Sequence, residues 1–258
     1  MYDKLYALGN IGIIALFAGV TAVLFLIAPL IGRKLGWTVP NKDRADYIIR
    51  AQSTLITFTA LILAFSLVQA QGNLRKTEEL VAKEASTLNT FDRQLLRYGE
   101  PAASIRPLLW AYTASVIDDE WPSLKDGEHN AATSAKLTPV SRAVFQLDPQ
   151  PGRQTTIYGE LIKSLDDMSD SREQRISAAD LRLPSEFWVM ALLLGLLLLA
   201  LSLVIEPVTH HTVSITAQGF ALALLAALVF CSDRPFEGDI SVSPVPIAKV
   251  LAIMKART

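Results

Sequence analysis

The sequence predicts an all-α membrane protein with four transmembrane helices arranged as two hairpins, and with an extramembrane helical bundle between spans two and three. Four apolar stretches, residues 11–31, 51–71, 187–205 and 213–231, are each long enough to cross a hydrocarbon layer of about 30 Å at about 1.5 Å per residue. The 258-residue chain is 51% hydrophobic and 19% charged, which is too apolar for an ordinary soluble protein of this length. Between the second and third stretches the pattern changes to amphipathic helices, without the alternation that is typical of strands.

The first apolar stretch is longer than the core of a secretory signal, which spans about 7–15 residues, so we interpret it as a retained anchor. It forms the first hairpin together with the second stretch, in residues 1–71. The loop between them is basic and contains Arg33, Lys34, Lys42, Arg44 and Arg50. By the positive-inside rule this loop would be cytoplasmic, but basic residues near the span ends on the domain side favour the opposite orientation. The two counts conflict, and they favour a cytoplasmic helical domain only by a small margin.

Residues 72–185 form the predicted helical domain. Its first helix continues directly out of span two, because apolar residues recur at helical spacing on one face: Leu74, Leu80, Val81, Leu88, Phe91 and Leu95. A second helix follows and ends near Pro122 and Gly127. A shorter helix is predicted over residues 139–147, and a long one over residues 153–182, before Pro184 marks the entry to span three.

The second hairpin occupies residues 186–232, with a short turn that contains Pro207. Residues 233–258 are predicted to form an extended segment and a short helix. The alternation of proline and apolar residues in this segment indicates that it lies against another surface. That surface is either a neighbouring subunit or the helical domain of the same chain.

Span two carries two rows of residues that could line a pore. Residues seven apart drift by only about 20° around a helix, so Gln52, Thr59, Ser66 and Asn73 form one polar stripe. A second row beside it is mostly apolar and consists of Phe58, Ile62, Phe65 and Gln69. Several copies around an axis could form a constriction that gates by dewetting. The alternative is that the small polar residues only mediate helix packing in lipid.

The composition and motifs argue against several other functions. Lys and Arg total 24 against 25 Asp and Glu, so there is no basic footprint for nucleic acid. A single cysteine and three histidines do not form a metal-ligand pattern, and the acidic clusters lack a calcium loop. No nucleophile with a neighbouring base and no phosphate-binding loop is present, so we expect no enzyme activity and no cofactor.

Four charged residues predict a structural ion-pair network in the helical domain. Arg172 and Arg175 share a face of the last domain helix, three residues apart. Glu84 and Glu120 lie on helices that must pack against it. Such buried pairs more often specify the register of a bundle than carry a function.

The order of several short motifs resembles the bestrophin-like family of mainly bacterial membrane proteins. The motifs are Glu84-Ala85, Tyr112, Glu120-Trp121, Arg172 with Arg175, Leu183-Pro184, Phe187-Trp188 and the run Asp233-Arg234-Pro235-Phe236-Glu237-Gly238. The resemblance covers nearly the whole chain. It implies a multi-pass protein of the bacterial inner membrane that associates with itself, for example as a pentamer, and with membrane lipid. It also implies a channel for small anions whose pore is lined by the second span.

A different class of function also fits the sequence. The predicted spans contain no Arg, Lys, Asp or Glu, and ionisable groups inside a membrane usually mark transport paths. The chain could therefore be a non-conducting scaffold or sensor whose helical domain binds a partner.

Overall fold

The computed structural model describes residues 8–38, 42–126 and 129–257, and every regular element within these residues is a helix. Short 3₁₀ helices at Glu100–Ala102, Trp121–Asp126 and Ala178–Asp180, and a π-helical segment at Val116–Glu120, join some of the longer elements. The α-helices are α1 Gly9–Lys34, α2 Lys42–Tyr98, α3 Ile105–Ser115, α4 Ala131–Phe145, α5 Arg153–Ser177, α6 Ser185–Val204, α7 Thr209–Ser232 and α8 Val245–Ala256. The prediction of an all-α fold is confirmed.

Four helical stretches of the described residues are long and apolar enough to cross a membrane. They contain the four predicted spans, which lie in α1, the first part of α2, α6 and α7. The prediction of four apolar helices is therefore confirmed. The side chains of Lys42 and Arg44, and Gly127 at the predicted end of the second domain helix, lie outside the described residues.

The chain divides into two compact units. The four-span unit consists of Met1–Asn73 and Arg182–Ile240, and the helical unit consists of Leu74–Leu181 and Ser241–Thr258. Helix α2 contributes residues to both units, because its 57 residues run without interruption from Lys42 to Tyr98. The sequence predicted this continuity from the apolar pattern that follows span two.

Side chains from all four spans meet in the core of the four-span unit. Phe25 of α1 packs with Leu198 of α6 and Ile215 of α7, and Leu55 of α2 lies against this cluster. A second cluster joins α2 to the second hairpin through Leu63, Phe187 and Val229. These contacts hold the spans together by shape, because lipid tails are as apolar as the side chains themselves.

A glycine allows α1 to approach α6 closely. A Cβ atom on Gly32 would lie 1.6 Å from the carbonyl oxygen of Leu203, which is backbone and cannot move aside as a side chain could. Gly219 of α7 plays a similar part, since its Cβ atom would lie 2.9 Å from the ring of Phe25. Small residues at such contacts are typical of helix pairs in membranes.

The helical unit buries the apolar face that the sequence predicts for the second part of α2. Leu88, Phe91 and Leu95 are fully buried, as are Leu109 of α3 and Leu161 of α5. One helix boundary in this unit was predicted wrongly. Helix α4 begins at Ala131 rather than near residue 139, so Pro139 lies inside it.

The reason for the early start of α4 is its N-cap. The Asn130 side-chain oxygen accepts hydrogen bonds from the backbone N–H groups of Ala132 at 2.9 Å and Thr133 at 3.2 Å. Asparagine is among the strongest N-cap residues, and this cap starts the helix although a proline follows a little more than two turns later.

The carboxyl-terminal helix α8 packs on the helical unit, which is one of the two surfaces that the sequence left open. Arg106 of α3 donates a hydrogen bond through Nη2 to the carbonyl oxygen of Met254, at 2.8 Å. Arg106 and Arg257 both reach the fully buried Asp92, at 2.9 and 3.2 Å. The sequence analysis missed Asp92. The sequence feature that could have identified it is the position of this acidic residue directly after Phe91, within the apolar face of α2.

We expect Gly32→Ala to destabilise the four-span unit by about 1–3 kcal/mol or more, because the added methyl group forces α1 away from the backbone of α6. Gly19→Ala is the matched control. It lies in the same helix with open space beside it, so it should be neutral or slightly stabilising. Unfolding of both variants in mixed detergent micelles measures the difference. Equal stability of the two variants would show that the close approach is not required.

Candidate functional site

The polar stripe of span two faces the interior of the four-span unit. Gln52 is 2% exposed, and its Nε2 donates a hydrogen bond to Oγ of Ser202 in α6 at 2.9 Å. The Ser202 hydroxyl donates in turn to the carbonyl oxygen of Leu198 at 2.9 Å. This chain of hydrogen bonds joins α2 to α6 without leaving a buried polar group unsatisfied.

The other members of the stripe bond within their own helix. The hydroxyl of Thr59 donates to Leu55 at 2.8 Å, and the hydroxyl of Ser66 donates to Ile62 at 2.9 Å, both to carbonyl oxygens one turn earlier. Asn73 is half-buried and accepts a hydrogen bond from Gln69 Nε2 at 3.2 Å. The structure thus places Gln52, Thr59 and Ser66 at the packed face of α2, and it brings Gln69 and Asn73 together.

The second row of span two, which consists of Phe58, Ile62, Phe65 and Gln69 and is called the aromatic row below, lies on the outer face of α2. Phe58 is 58% exposed and Phe65 is 67% exposed, whereas Ile62 between them is half-buried. Two further apolar residues share this face, Leu61 and Val68, which the sequence analysis did not single out. The spacing in the sequence could have identified Leu61 and Val68, because positions 58, 61, 65 and 68 follow the alternating three- and four-residue repeat of a helix that contacts another helix.

The four residues of the predicted ion-pair network lie together in the helical unit. Arg175 is fully buried, and its Nε is 2.5 Å from Glu84 Oε2 while its Nη2 is 2.6 Å from Glu120 Oε2. Arg172 also pairs with Glu120 and donates to the Ser134 hydroxyl at 3.0 Å. One guanidinium therefore joins α2, the π-helical segment and α5, and the second extends the network to α4.

An aromatic ring and the backbone geometry complete this network. The Arg175 guanidinium lies 5.3 Å from the centre of the Trp121 ring, which is a cation–π distance. Glu120 is the last residue of the π-helical segment Val116–Glu120. A π-helical turn contains an extra residue, which rotates the side chains that follow it around the helix axis. Glu120 comes after α3 in the chain and is thereby directed towards α5.

Burial and charge move the pKa values of the two carboxyl groups in opposite directions. Burial raises the pKa of Glu84, and the charge and hydrogen bonds of Arg175 offset this only in part. Burial also acts to raise the pKa of Glu120, but the hydrogen bonds and charges of two arginines outweigh it, and the net pKa is lowered. Burial raises the pKa of the neighbouring Tyr112, with a further contribution from the charge of Glu84.

The family-motif residues of the four-span unit meet at the start of α6. Asp233 follows α7 and accepts hydrogen bonds from the backbone N–H of Leu183 at 2.6 Å and from Nε1 of Trp188 at 3.3 Å. Pro184 is the N-cap of α6. The remaining motif residues Pro235, Phe236 and Gly238 form the turn after α7, in which Gly238 has a φ of 74° and Arg234 pairs with Glu237 at 2.5 Å. A left-handed φ of this kind favours glycine.

We expect Arg175→Met to reduce the free energy of unfolding by about 3–5 kcal/mol, because it leaves two buried carboxyl groups without their shared cation. The control is Lys136→Met, which removes the exposed pair with Asp119 at 3.1 Å and should cost less than about 1 kcal/mol. Denaturant unfolding in mixed micelles compares the two. A loss for Arg175→Met that is no larger than the control would contradict a central role for this guanidinium.

The two glutamates should affect the pH dependence of stability with opposite signs. The pKa of Glu84 is higher in the folded protein than its ordinary value of 4.5, so the protonated form of this residue favours the fold. The contribution of Glu84 to stability is complete at pH values below 4.5. It is lost as the pH rises through the folded pKa. The stability of Glu84→Gln relative to wild type should therefore increase with pH over that window. Glu120 has a lowered folded pKa, so its contribution is present above 4.5 and is lost as the pH falls through the folded value.

The stability of wild type relative to Glu120→Gln should consequently shrink on acidification. Unfolding of wild type and both variants at a series of pH values tests this pair of expectations. The same sign of pH dependence for both variants would contradict it.

Comparisons with known proteins agree with this architecture. A bacterial Bestrophin homolog from Klebsiella pneumoniae has a similar fold, with a TM-score of 0.66, 15% identity, and coverage of 96% of this chain and 99% of the other. A single-site variant of that homolog gives a TM-score of 0.67 at 15% identity, covering 95% and 99%. A variant of a protein described as a membrane protein gives 0.68 at 14% identity, covering 92% and 98%. No curated protein matches the chain.

The family comparison covers more than half of the sequence. The model of the Bestrophin-like domain matches residues 52–247, which begin at the first residue of the polar stripe and end in α8. The matched stretch contains the ion-pair network, the motifs on which the resemblance rests and three of the four spans. The resemblance drawn from the motifs is therefore confirmed. The chain belongs to the bestrophin-like family.

Proposed function

We propose that this protein is a homo-oligomeric ion channel for small anions, and that α2 lines its pore. The observation that carries the proposal is the exposed face of α2 within a predicted span. Four large apolar side chains lie on it, Phe58, Leu61, Phe65 and Val68, each more than half exposed. The family to which the chain belongs, and the fold it shares with bacterial bestrophin homologs, support an ion-channel-like function.

This face differs from one that serves only to contact lipid. The exposed residues of α6 beyond its first turn, such as Leu192, Leu193 and Leu196, are apolar. On α2, by contrast, the exposed apolar row is preceded by the hydroxyl residues Ser53, Thr54 and Thr57, and is followed by Gln69. An apolar segment with polar residues at both ends is the pattern expected of a constriction between two hydrated openings.

A pore of this kind requires several copies of the chain. One helix presents only one wall of a constriction, so the rows of several second spans must surround an axis, and a pentamer is the assembly that the family resemblance implies. Gln52, Thr59 and Ser66 then face the interior of each subunit, while Phe58, Leu61, Phe65 and Val68 are directed to the axis, with Gln69 at one end of this face and the half-buried Ile62 at its edge. In this arrangement the polar stripe sets the rotation of the helix rather than the surface that ions meet.

Anions are favoured over cations by the chemistry of the proposed lining. Residues 51–71 contain no acidic side chain that would attract a cation. The edges of the Phe58 and Phe65 rings carry positive partial charge, because the quadrupole of an aromatic ring is negative on its faces and positive at its rim. Ring edges that point to the axis would stabilise a partly dehydrated halide at the constriction.

Halide efflux from liposomes that contain the purified protein tests the proposal. We expect a flux above that of empty vesicles, and we expect Phe65→Ala to raise it severalfold, because a smaller side chain widens and hydrates the constriction. The control is Leu193→Ala, which removes a similarly exposed apolar side chain from α6 and should leave the flux unchanged.

Two results would contradict this function. One is a flux that never exceeds that of empty vesicles over a range of pH and calcium concentrations. The other is a strictly monomeric mass in mild detergent, because a monomer cannot place several second spans around an axis. Either result would favour the non-conducting scaffold or sensor.

A further inference from the structure

The four-span unit contains an apolar groove that lies away from the exposed row of α2. Its volume is about 430 Å³, within the range of ligand pockets. All four spans contribute to its lining, which includes Phe17, Leu63, Leu192, Gly195 and Leu222. Two threonines lie in the lining, Thr21 and Thr59, and the Thr59 hydroxyl already donates to its own helix. The rest of the lining is almost entirely apolar, so the groove suits a hydrocarbon occupant.

The groove is open at the surface of α6. Two of its lining residues, Leu192 and Leu196, are 63% and 51% exposed. Between them, Gly195 has open space where a Cβ atom would be. A flexible hydrocarbon chain could enter the groove from the side, along this gap in the surface of α6.

A polar pocket of about 380 Å³ lies at the start of α6. Arg182, Ser185, Asp233 and Arg234 contribute its polar lining. The two oxygens of Asp233 already accept hydrogen bonds from Leu183 and Trp188. Arg234 pairs with Glu237, but a guanidinium has five N–H donors and can hold a second acceptor at the same time. Two arginines, Arg182 and Arg234, therefore line the same pocket as the carboxylate of Asp233.

One side chain lines both the groove and the pocket. Trp188 contributes to each of them, so the two cavities adjoin at this residue. The ring is held in place by edge contacts with Phe187 at 5.1 Å and Phe230 at 5.7 Å, and by the hydrogen bond to Asp233. A fixed tryptophan between an apolar and a charged region is typical of the headgroup level of a membrane.

We propose that this composite cavity binds an anionic phospholipid. The phosphate lies between Arg182 and Arg234, and one acyl chain passes Trp188 and occupies the groove beside Gly195. Paired arginines bind phosphate through charge-assisted hydrogen bonds, and basic pockets between transmembrane helices are known to hold lipid headgroups. A lipid is the occupant that suits both cavities, since no charged group lines the groove for a free anion, and the arginines of the pocket do not favour a bare hydrocarbon.

Native mass spectrometry of the full-length protein in detergent, with added phosphatidylglycerol or phosphatidylcholine, tests this assignment. We expect phosphatidylglycerol to bind at about tenfold lower concentration than phosphatidylcholine, and Arg182→Gln to remove most of that preference. Arg182→Lys should keep part of it. Gly195→Leu should weaken the binding of both lipids, because its side chain fills the entrance of the groove.

Three controls make the outcomes distinct. Arg33→Gln, the control for Arg182→Gln, removes an exposed charge at the end of α1. Gly19→Leu, the control for Gly195→Leu, adds a side chain in open space on α1. Neither control should change lipid binding. Glycerol phosphate added in excess should not displace the lipid. The proposal is overturned if wild type binds the two lipids equally, or if glycerol phosphate competes fully. It is also overturned if Gly195→Leu changes the oligomer mass and leaves lipid binding intact, since the groove would then be a contact between copies of the chain.

Discussion

The buried guanidinium of Arg175 is the interaction on which the helical unit depends. A fully buried charge is tolerated only where opposite charges and hydrogen bonds replace its hydration, and here Glu84 and Glu120 supply both. The two carboxyl groups come from α2 and from the π-helical segment, while the arginine comes from α5. A shift of α5 along α2 by one turn would leave all three charges without partners, so the network permits one register only. Apolar packing alone would tolerate several registers, because Leu, Ile and Val can exchange places at modest cost.

A similar logic sets the rotation of α2 within the four-span unit. Gln52 finds its partner on Ser202, and the hydroxyls of Thr59 and Ser66 are satisfied within the helix. Their burial leaves the opposite face, with Phe58 and Phe65, exposed. The polar stripe and the aromatic row therefore have different surroundings. The first faces the interior of the four-span unit, and the second remains largely exposed.

The residues around Trp188 also combine a structural role with the lining of two cavities. The motif residues Trp188 and Asp233 are bonded to each other and to the backbone at Leu183, so they brace the start of the second hairpin. In doing so they also fix Trp188 where a charged pocket and an apolar groove adjoin. A structural motif of this kind can create a ligand site as a by-product, because a rigid polar anchor at the membrane surface must adjoin apolar helices on one side.

Much of the architecture could be predicted because it follows from local patterns. The lengths of the apolar stretches, the continuity of α2 and the shared face of Arg172 and Arg175 are all properties of residues close in sequence. The early start of α4 escaped prediction because a single side chain, that of Asn130, outweighed the proline that suggested a boundary. Asp92 escaped because its partners lie far away in the sequence, at Arg106 and Arg257.

The sequence by itself determined that the chain is helical, that four of its segments are apolar enough to cross a membrane, and that its motifs follow the order of the bestrophin-like family. Hydrophobic length and helical period are written into neighbouring residues, which explains this success. Only the tertiary structure decided which face of α2 is packed, how Glu120 reaches two arginines, and where two cavities adjoin at Trp188. Each of these depends on which distant residues become neighbours, and no local pattern of side chains contains that information.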